Sequence, residues 1–284
     1  NRFFDVGIAE QHALTMAAGM AKEGLKPVIS IYSSFYQRGY DQVIHDICLQ
    51  NLPVVMCVDR AGIVGSDGET HQGLYDMAFF KLIPNITIMS PKDFEELEQM
   101  LEFAINLKKP VVIRYPRGGE SQEKFEEHSK IELGKCEKIS TIENSEEKNT
   151  KDGKKLYKNE EKYVTIIAIG NMVAKAKKVA EKLNFDGIKA EVINSRFIKP
   201  FDNEEIIESI KKTKNCITIE DGTIIGGLAS NVKELIAQNN ISSVKIKAFA
   251  YPDKFIEHGT IQELEEKYKM DIQSIYEYIK GELK

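Results

Sequence analysis

The sequence predicts an α/β chain of two domains, each a mainly parallel sheet flanked by helices. Three observations lead there. Apolar runs of strand length alternate with segments of helical spacing through both halves of the chain. The strand runs are apolar throughout, as in parallel sheets covered on both faces. A charge-rich stretch near the middle breaks the alternation once, and so divides 284 residues into pieces of ordinary domain size. The expected units are a first domain over 1–120, a polar, charged and partly disordered linker over 121–162, and a second domain over 163–284.

In the first domain a short strand is expected to run from Asp5 into a helix whose early face is Ala13, Met16, Ala17, Met20 and Ala21. The strand runs that follow are Pro27–Tyr32, Pro53–Val58, Ile86–Met89 and Val111–Ile113. Between them, Tyr40, Val43, Ile44, Ile47 and Cys48 make one helical face, and Phe94, Leu97, Leu101 and Ile105 make another. Ser90-Pro91 reads as a helix cap followed by proline at the first helical position.

Ser140–Glu161 is rich in Glu, Lys, Asn and Ser and reads as solvated chain without chemistry. Beyond it, strands are expected over Val164–Ile169, Ala190–Asn194, Ile217–Glu220 and Val244–Ala250. Helices fit Val173–Leu183, Asn203–Lys212, Leu228–Ala237 and Thr260–Tyr268, the last opened by Thr260 and Glu263 at capping-box spacing.

Composition excludes several classes. Apolar residues are 42% and charged residues 29%, which is ordinary for a globular chain. A net charge of −5 argues against broad binding of nucleic acid or an anionic membrane. No apolar run approaches the ~18 residues of a membrane helix. The opening residues Asn1–Asp5 lack the apolar region of a signal peptide. Cys48, Cys57, Cys136 and Cys216 are scattered, which fits a reducing cytoplasm and no zinc site. His45, His128 and His258 have no metal-ligand spacing, so no metal site is expected.

Four segments have the residues for chemistry. In Asp5–Ala13, Glu10 falls in the first turn of a helix, where an acidic residue is also favoured for stability alone. Gln11, His12 and the small residues after them suggest close packing against another helix or subunit. In Ile31–Gln42, Tyr32, Phe35, Tyr36 and Arg38 gather where a parallel strand ends, the usual place for ligands in open sheets. Rings there stack on a heterocycle or simply fill core. Asp59–Gly73 also follows a strand and holds Arg60, Asp67 and His71 among four glycines; it is either a binding loop or a flexible surface loop. Arg114–Gly119 offers Arg114 and Arg117 to a phosphate or carboxylate, or is surface charge at a domain boundary.

Together these segments resemble the pyrimidine-binding and C-terminal domains of the transketolase-like thiamin diphosphate enzymes. Within that family the resemblance is to the synthases that condense pyruvate with D-glyceraldehyde 3-phosphate. Asn194–Pro200 and Pro252–Gly259 match as well. The resemblance implies thiamin diphosphate as cofactor, with Glu10 at N1′ of its aminopyrimidine, Phe35 stacked on that ring, and Tyr32 and Arg38 nearby. It implies Arg60 and Arg117 on the acceptor phosphate, and His71 and Asp67 near the reacting carbons. It further implies a homodimer, and a missing N-terminal domain that holds Mg²⁺ and the diphosphate, so that this chain is expected to be inactive alone. Asp221-Gly222 and Asn239-Asn240 faintly resemble the family's Gly-Asp-Gly and Asn-Asn metal motif, but Glu220 replaces the first glycine and the separation is too short. The alternatives are a naturally split transketolase-like or 2-oxo acid dehydrogenase β-type subunit that needs a partner chain, and a folded module without activity.

Overall fold

The computed structural model describes residues 2–119, 121, 123–141, 148–149, 155–156 and 162–283. The first half runs α1 (Glu10–Lys22), β1 (Val28–Tyr32), a 3₁₀ segment (Ser33–Gly39), α2 (Tyr40–Gln42), a π-helical turn (Val43–Cys48), β2 (Val55–Asp59), α3 (Asp76–Lys81), β3 (Thr87–Met89), α4 (Phe94–Leu107) and β4 (Val111–Arg114). The second runs β5 (Glu137–Ser140), a small antiparallel ladder of β6 (Lys148–Asn149) and β7 (Lys155–Leu156), β8 (Lys162–Ala168), α5 (Met172–Phe185), β9 (Ile188–Asn194), β10 (Phe197–Lys199), α6 (Asn203–Thr213), β11 (Asn215–Thr223), α7 (Leu228–Gln238), β12 (Lys245–Tyr251), α8 (Ile261–Tyr268) and α9 (Ile272–Glu282).

The two larger sheets have five strands each, in the orders β1-β2-β4-β3-β10 and β12-β11-β8-β9-β5. Each is parallel except for one edge strand: β10 runs against β3, and β5 against β9. The predicted two-sheet α/β architecture is therefore the observed one. The central strands are buried on both faces, with Val55–Val58 and Val111–Arg114 buried along their length, which is why their sequences are apolar without alternation. The register sets Tyr32 opposite Asp59, and Val58 opposite Arg114. The carboxyl ends of β1, β2 and β4 thus lie side by side.

Several local expectations need correction. Residues 2–9 form no strand ahead of α1. Ser90 does not cap α4; Asp93 does, accepting from the Glu96 amide at 2.8 Å, while Ser90 Oγ donates to the Arg114 carbonyl. The Tyr40–Cys48 face exists, but its backbone is a short α segment (Tyr40–Gln42) that continues as a π-helical turn (Val43–Cys48), not one regular helix. The short strand β10 and helix α9 were not anticipated. The capping box at Thr260 and Glu263 is present.

The two halves are locked by buried charge. Arg196 donates to Glu96 at 2.6 Å and to Glu137 at 2.8 Å, and Lys92 donates to Glu137 at 2.8 Å. Asn194 Nδ2 reaches both carboxylates. Charges this deep persist only when paired. Glu137 comes from the stretch expected to be linker, so part of that stretch is packed structure. Most of Ser140–Glu161 lies outside the described residues.

Candidate active site

The site is built at the carboxyl ends of β1, β2 and β4, where open α/β sheets bind ligands. Glu10 is the first residue of α1 and is only 8% exposed. Its Oε1 accepts from Arg38 Nη1 at 3.0 Å, and Oε2 has no protein partner among the described residues. Arg38 also lies over the Phe35 ring, 4.9 Å from its centroid. Phe35 stacks on Tyr32 (centroids 5.5 Å apart, planes at 21°) and meets His71 edge-on at 5.3 Å. Neither ring is ordinary core, since both stay half-buried; the core aromatic of this segment is Tyr36, fully buried and donating to the Cys57 carbonyl.

Arg60 continues the chain of contacts. Its guanidinium sits 3.9 Å from the Tyr32 centroid and donates to Asp67 Oδ2 at 2.8 Å. Arg117 donates to the other oxygen, Asp67 Oδ1, at 2.5 Å. His71 Nδ1 pairs with Thr70 Oγ1 at 2.8 Å, which leaves Nε2 as its other ring nitrogen. One continuous set of contacts therefore joins Glu10, Arg38, Phe35, Tyr32, His71, Arg60, Asp67 and Arg117. His12 and Gln11 are exposed on the outer face of α1.

The loop that carries Arg60, Asp67 and His71 is not a loose surface loop. Gly62 and Gly73 exchange two backbone hydrogen bonds at 2.7 Å, closing its neck, and Ala61 through Gly65 are buried. A Cβ at Gly73 would lie 2.2 Å from the Arg60 carbonyl oxygen, so only glycine lets the two arms approach. Arg60 itself takes a left-handed backbone (φ 58°), uncommon for a non-glycine residue.

Arg114 does not belong to the open site. It is buried against Asp76, and its Nη2 also donates to the Asp221 carbonyl at 2.9 Å. Burial works against its charge, but Asp76 outweighs that and holds the guanidinium more basic than usual. Asp221, in sequence only a failed metal motif, also has a structural place here. Its side chain is buried beneath the loop, where Oδ1 accepts from the Ile63 amide at 3.0 Å. Burial pushes Asp221 up to about 6 and the neighbouring Glu220 up to about 7. Glu220 accepts from the Leu228 and Ala229 amides and so caps α7. No group of three or more His, Cys, Asp or Glu suited to a metal occurs among the described residues.

Comparison with known proteins agrees with this fold. Residues 1–119 match the family described as transketolase, pyrimidine binding domain, and residues 153–275 match transketolase, C-terminal domain. The chain belongs to the transketolase-like family. Its particular likeness is to 1-deoxy-D-xylulose-5-phosphate synthases: it is 48% identical over 278 residues to that of Halothermothrix orenii and 47% identical over 279 residues to that of Caldanaerobacter subterraneus subsp. tengcongensis. These matches cover 98% of this chain but 41% and 42% of the relatives, so the chain spans about two fifths of the length of the curated relatives it matches. Among solved structures, one described as a split gene transketolase, inactive beta4 tetramer, superposes with a TM-score of 0.84 at 29% identity, covering 99% of this chain and 84% of that one. Transketolase from Campylobacter jejuni superposes with a TM-score of 0.73 at 15% identity, covering 98% of this chain and 39% of that one, a likeness of fold.

Proposed function

We propose that this chain is part of a thiamin diphosphate-dependent synthase that condenses pyruvate, with loss of carbon dioxide, and D-glyceraldehyde 3-phosphate to 1-deoxy-D-xylulose 5-phosphate, the first step of non-mevalonate isoprenoid synthesis. The observation that carries this reading is the unbroken contact set from Glu10 to Arg117 at the carboxyl ends of the strands. It joins a buried helix-start carboxylate, a stacked aromatic pair and two arginines. Thiamin diphosphate, when bound, supplies a nucleophilic ring carbon and an electron sink for decarboxylation.

The residues fit that group. Glu10 Oε2 is uncommitted, and Arg38 bridges Glu10 to the face of Phe35, a combination suited to a flat, nitrogen-bearing ring. In this reading Glu10 holds a proton at N1′ of the aminopyrimidine, and Phe35, backed by Tyr32, stacks on the ring. Arg60 and Arg117 take the acceptor's phosphate, in place of their present pairing with Asp67. His71, through Nε2, gives or takes a proton at the acceptor's carbonyl oxygen, with Asp67 beside it. Mg²⁺ and the diphosphate are held by sequence outside this chain. A second copy covers the start of α1, a reading supported by exposed Phe3, Phe4 and Ile8 (77%, 61% and 91%). The cysteine pattern supports a cytoplasmic setting.

A second reading, a naturally split subunit with a separate partner chain, is favoured by the likeness to the split gene transketolase, 84% of which is covered. Calorimetric titration of this chain with thiamin diphosphate and Mg²⁺ tests the division of labour: no binding is expected alone, and tight Mg²⁺-dependent binding overturns it. Assay of the full-length protein for carbon dioxide release from pyruvate, dependent on D-glyceraldehyde 3-phosphate, tests the reaction. Absence of that dependence overturns the substrate assignment.

A further inference from the structure

We infer that Asp221, in the second domain, is a positioning residue for the acceptor-phosphate site, holding both of its arginine-bearing segments at once. This rests on the reading of Arg60 and Arg117 as phosphate ligands. Two hydrogen bonds of one residue reach the two segments. The Asp221 carboxylate accepts from the Ile63 amide at 3.0 Å, three residues beyond Arg60. The Asp221 carbonyl accepts from Arg114 Nη2 at 2.9 Å, three residues before Arg117. Asp76 completes the grip on Arg114. Asp221 is 3% exposed, so both bonds form away from water.

The fit around the carboxylate is specific. A Cβ at Gly62 would lie 1.9 Å from Asp221 Oδ2, and Gly62 has φ +85°. Glycine there admits the carboxylate to the neck of the loop, where Gly62 pairs with Gly73. Asn171 Nδ2 approaches Oδ2 at 3.4 Å. The strand β11 shifts register against β12 between Ile219 and Thr223, the kind of irregularity that re-aims a side chain. A second tie from the same domain runs from the Glu257 carbonyl to Gln72 Nε2, whose Oε1 accepts from the Val64 amide. The second domain, which contributes no side chain to the open contact set, thus sets the separation of Arg60 and Arg117, which meet on opposite oxygens of Asp67.

The test uses the full-length enzyme and compares D-glyceraldehyde 3-phosphate with unphosphorylated D-glyceraldehyde as acceptor. Asp221→Ala is expected to raise KM for the phosphorylated acceptor by about tenfold to a hundredfold, the scale of a misplaced binding group. KM for pyruvate and for D-glyceraldehyde should change little, and the Ile63 amide should exchange its hydrogen faster. Asp221→Asn keeps an acceptor at Oδ1 and should restore most of the preference. Should Asp221→Ala not fold, Gly62→Ala presses on the same carboxylate from the loop side and should reproduce the loss. An unchanged KM ratio in the folded Asp221→Ala or Gly62→Ala enzyme, or an equal rise for both acceptors, overturns the inference. Arg60→Ala and Arg117→Ala separate the two levels. If they abolish the preference while Asp221→Ala does not, only the positioning role falls; if they leave the preference intact, the phosphate reading falls and the inference with it.

Discussion

Arg114 grips Asp76 with two hydrogen bonds, Nε to Oδ2 at 2.8 Å and Nη2 to Oδ1 at 3.3 Å, in a setting where neither side chain is more than 2% exposed. Arg117, three residues on, is 45% exposed. Two arginines of one short segment thus have opposite surroundings. Removing Arg114 leaves the Asp76 carboxylate buried and unpaired, which costs about 3–5 kcal/mol. Arg117→Ala should change stability by no more than about 0.5 kcal/mol. Denaturant midpoints at constant slope measure both. Equal losses contradict the assignment of Arg114 to structure and Arg117 to the site.

Glu10→Gln keeps the volume of the side chain but removes the acid proposed to hold a proton on the pyrimidine nitrogen. In the full-length enzyme this should lower kcat/KM by about 2–4 kcal/mol of transition-state stabilisation, the scale of losing one preorganised group. Stability should change little, because Arg38 is half exposed and its ion pair with Glu10 is correspondingly weak. Turnover within about twofold of the parent enzyme removes Glu10 from the mechanism.

Arg60 is held by a ring face and a carboxylate together, which a lysine cannot reproduce. Its guanidinium carbon lies 3.9 Å from the Tyr32 centroid while Nη1 reaches Asp67. Arg60→Lys keeps the charge and loses the planar fork. We expect the KM for D-glyceraldehyde 3-phosphate to rise by about tenfold, equivalent to roughly 1.4 kcal/mol, and to become steeply dependent on salt as a point charge replaces a directed pair. A lysine variant with parent-like KM shows that Arg60 acts by charge alone.

The sheet strands were legible because burial on both faces writes itself as uninterrupted apolar runs, as in Val55–Val58. The site loops were legible because polar residues and glycines follow those runs directly, and Tyr32, Phe35, Arg60, Asp67 and His71 do converge. The roles of Arg114 and Asp221 were not. Both sit in polar-looking sequence, and only the partner 107 positions away makes Arg114 a buried bridge. Glu137 was hidden for the same reason: its charge suits a solvated linker, and it is the remote Arg196 and Lys92 that allow its burial. The irregular helix from Tyr40 to Cys48 looks regular in sequence because its buried residues still recur at nearly helical intervals.

The buried pair Glu220 and Asp221 should make stability fall as pH rises through neutrality. Burial raises Glu220 from 4.5 to about 7 and Asp221 from 3.8 to about 6. A carboxyl that binds its proton more tightly in the folded state contributes fully below its unfolded value, and that contribution is lost as pH climbs to the folded value. Glu137 and Glu191 act in the opposite sense. Burial pushes both up, but hydrogen bonds and charge from Lys92 and Arg196, and from Ser209 and Lys212, outweigh it and hold them below the ordinary range. Their contribution is present above that range and lost only as pH falls below it. Stability should therefore peak at mildly acidic pH and decline from about pH 5 to about pH 8. Melting temperatures across that window test this, with Asp221→Asn as control: lacking one of the two titrating groups, it should lose less on going from about pH 5 to about pH 6. A parent protein that gains stability over the same interval shows that both carboxyls are already ionised, and that the two amides on Glu220 and the nearby Arg114 prevail over burial.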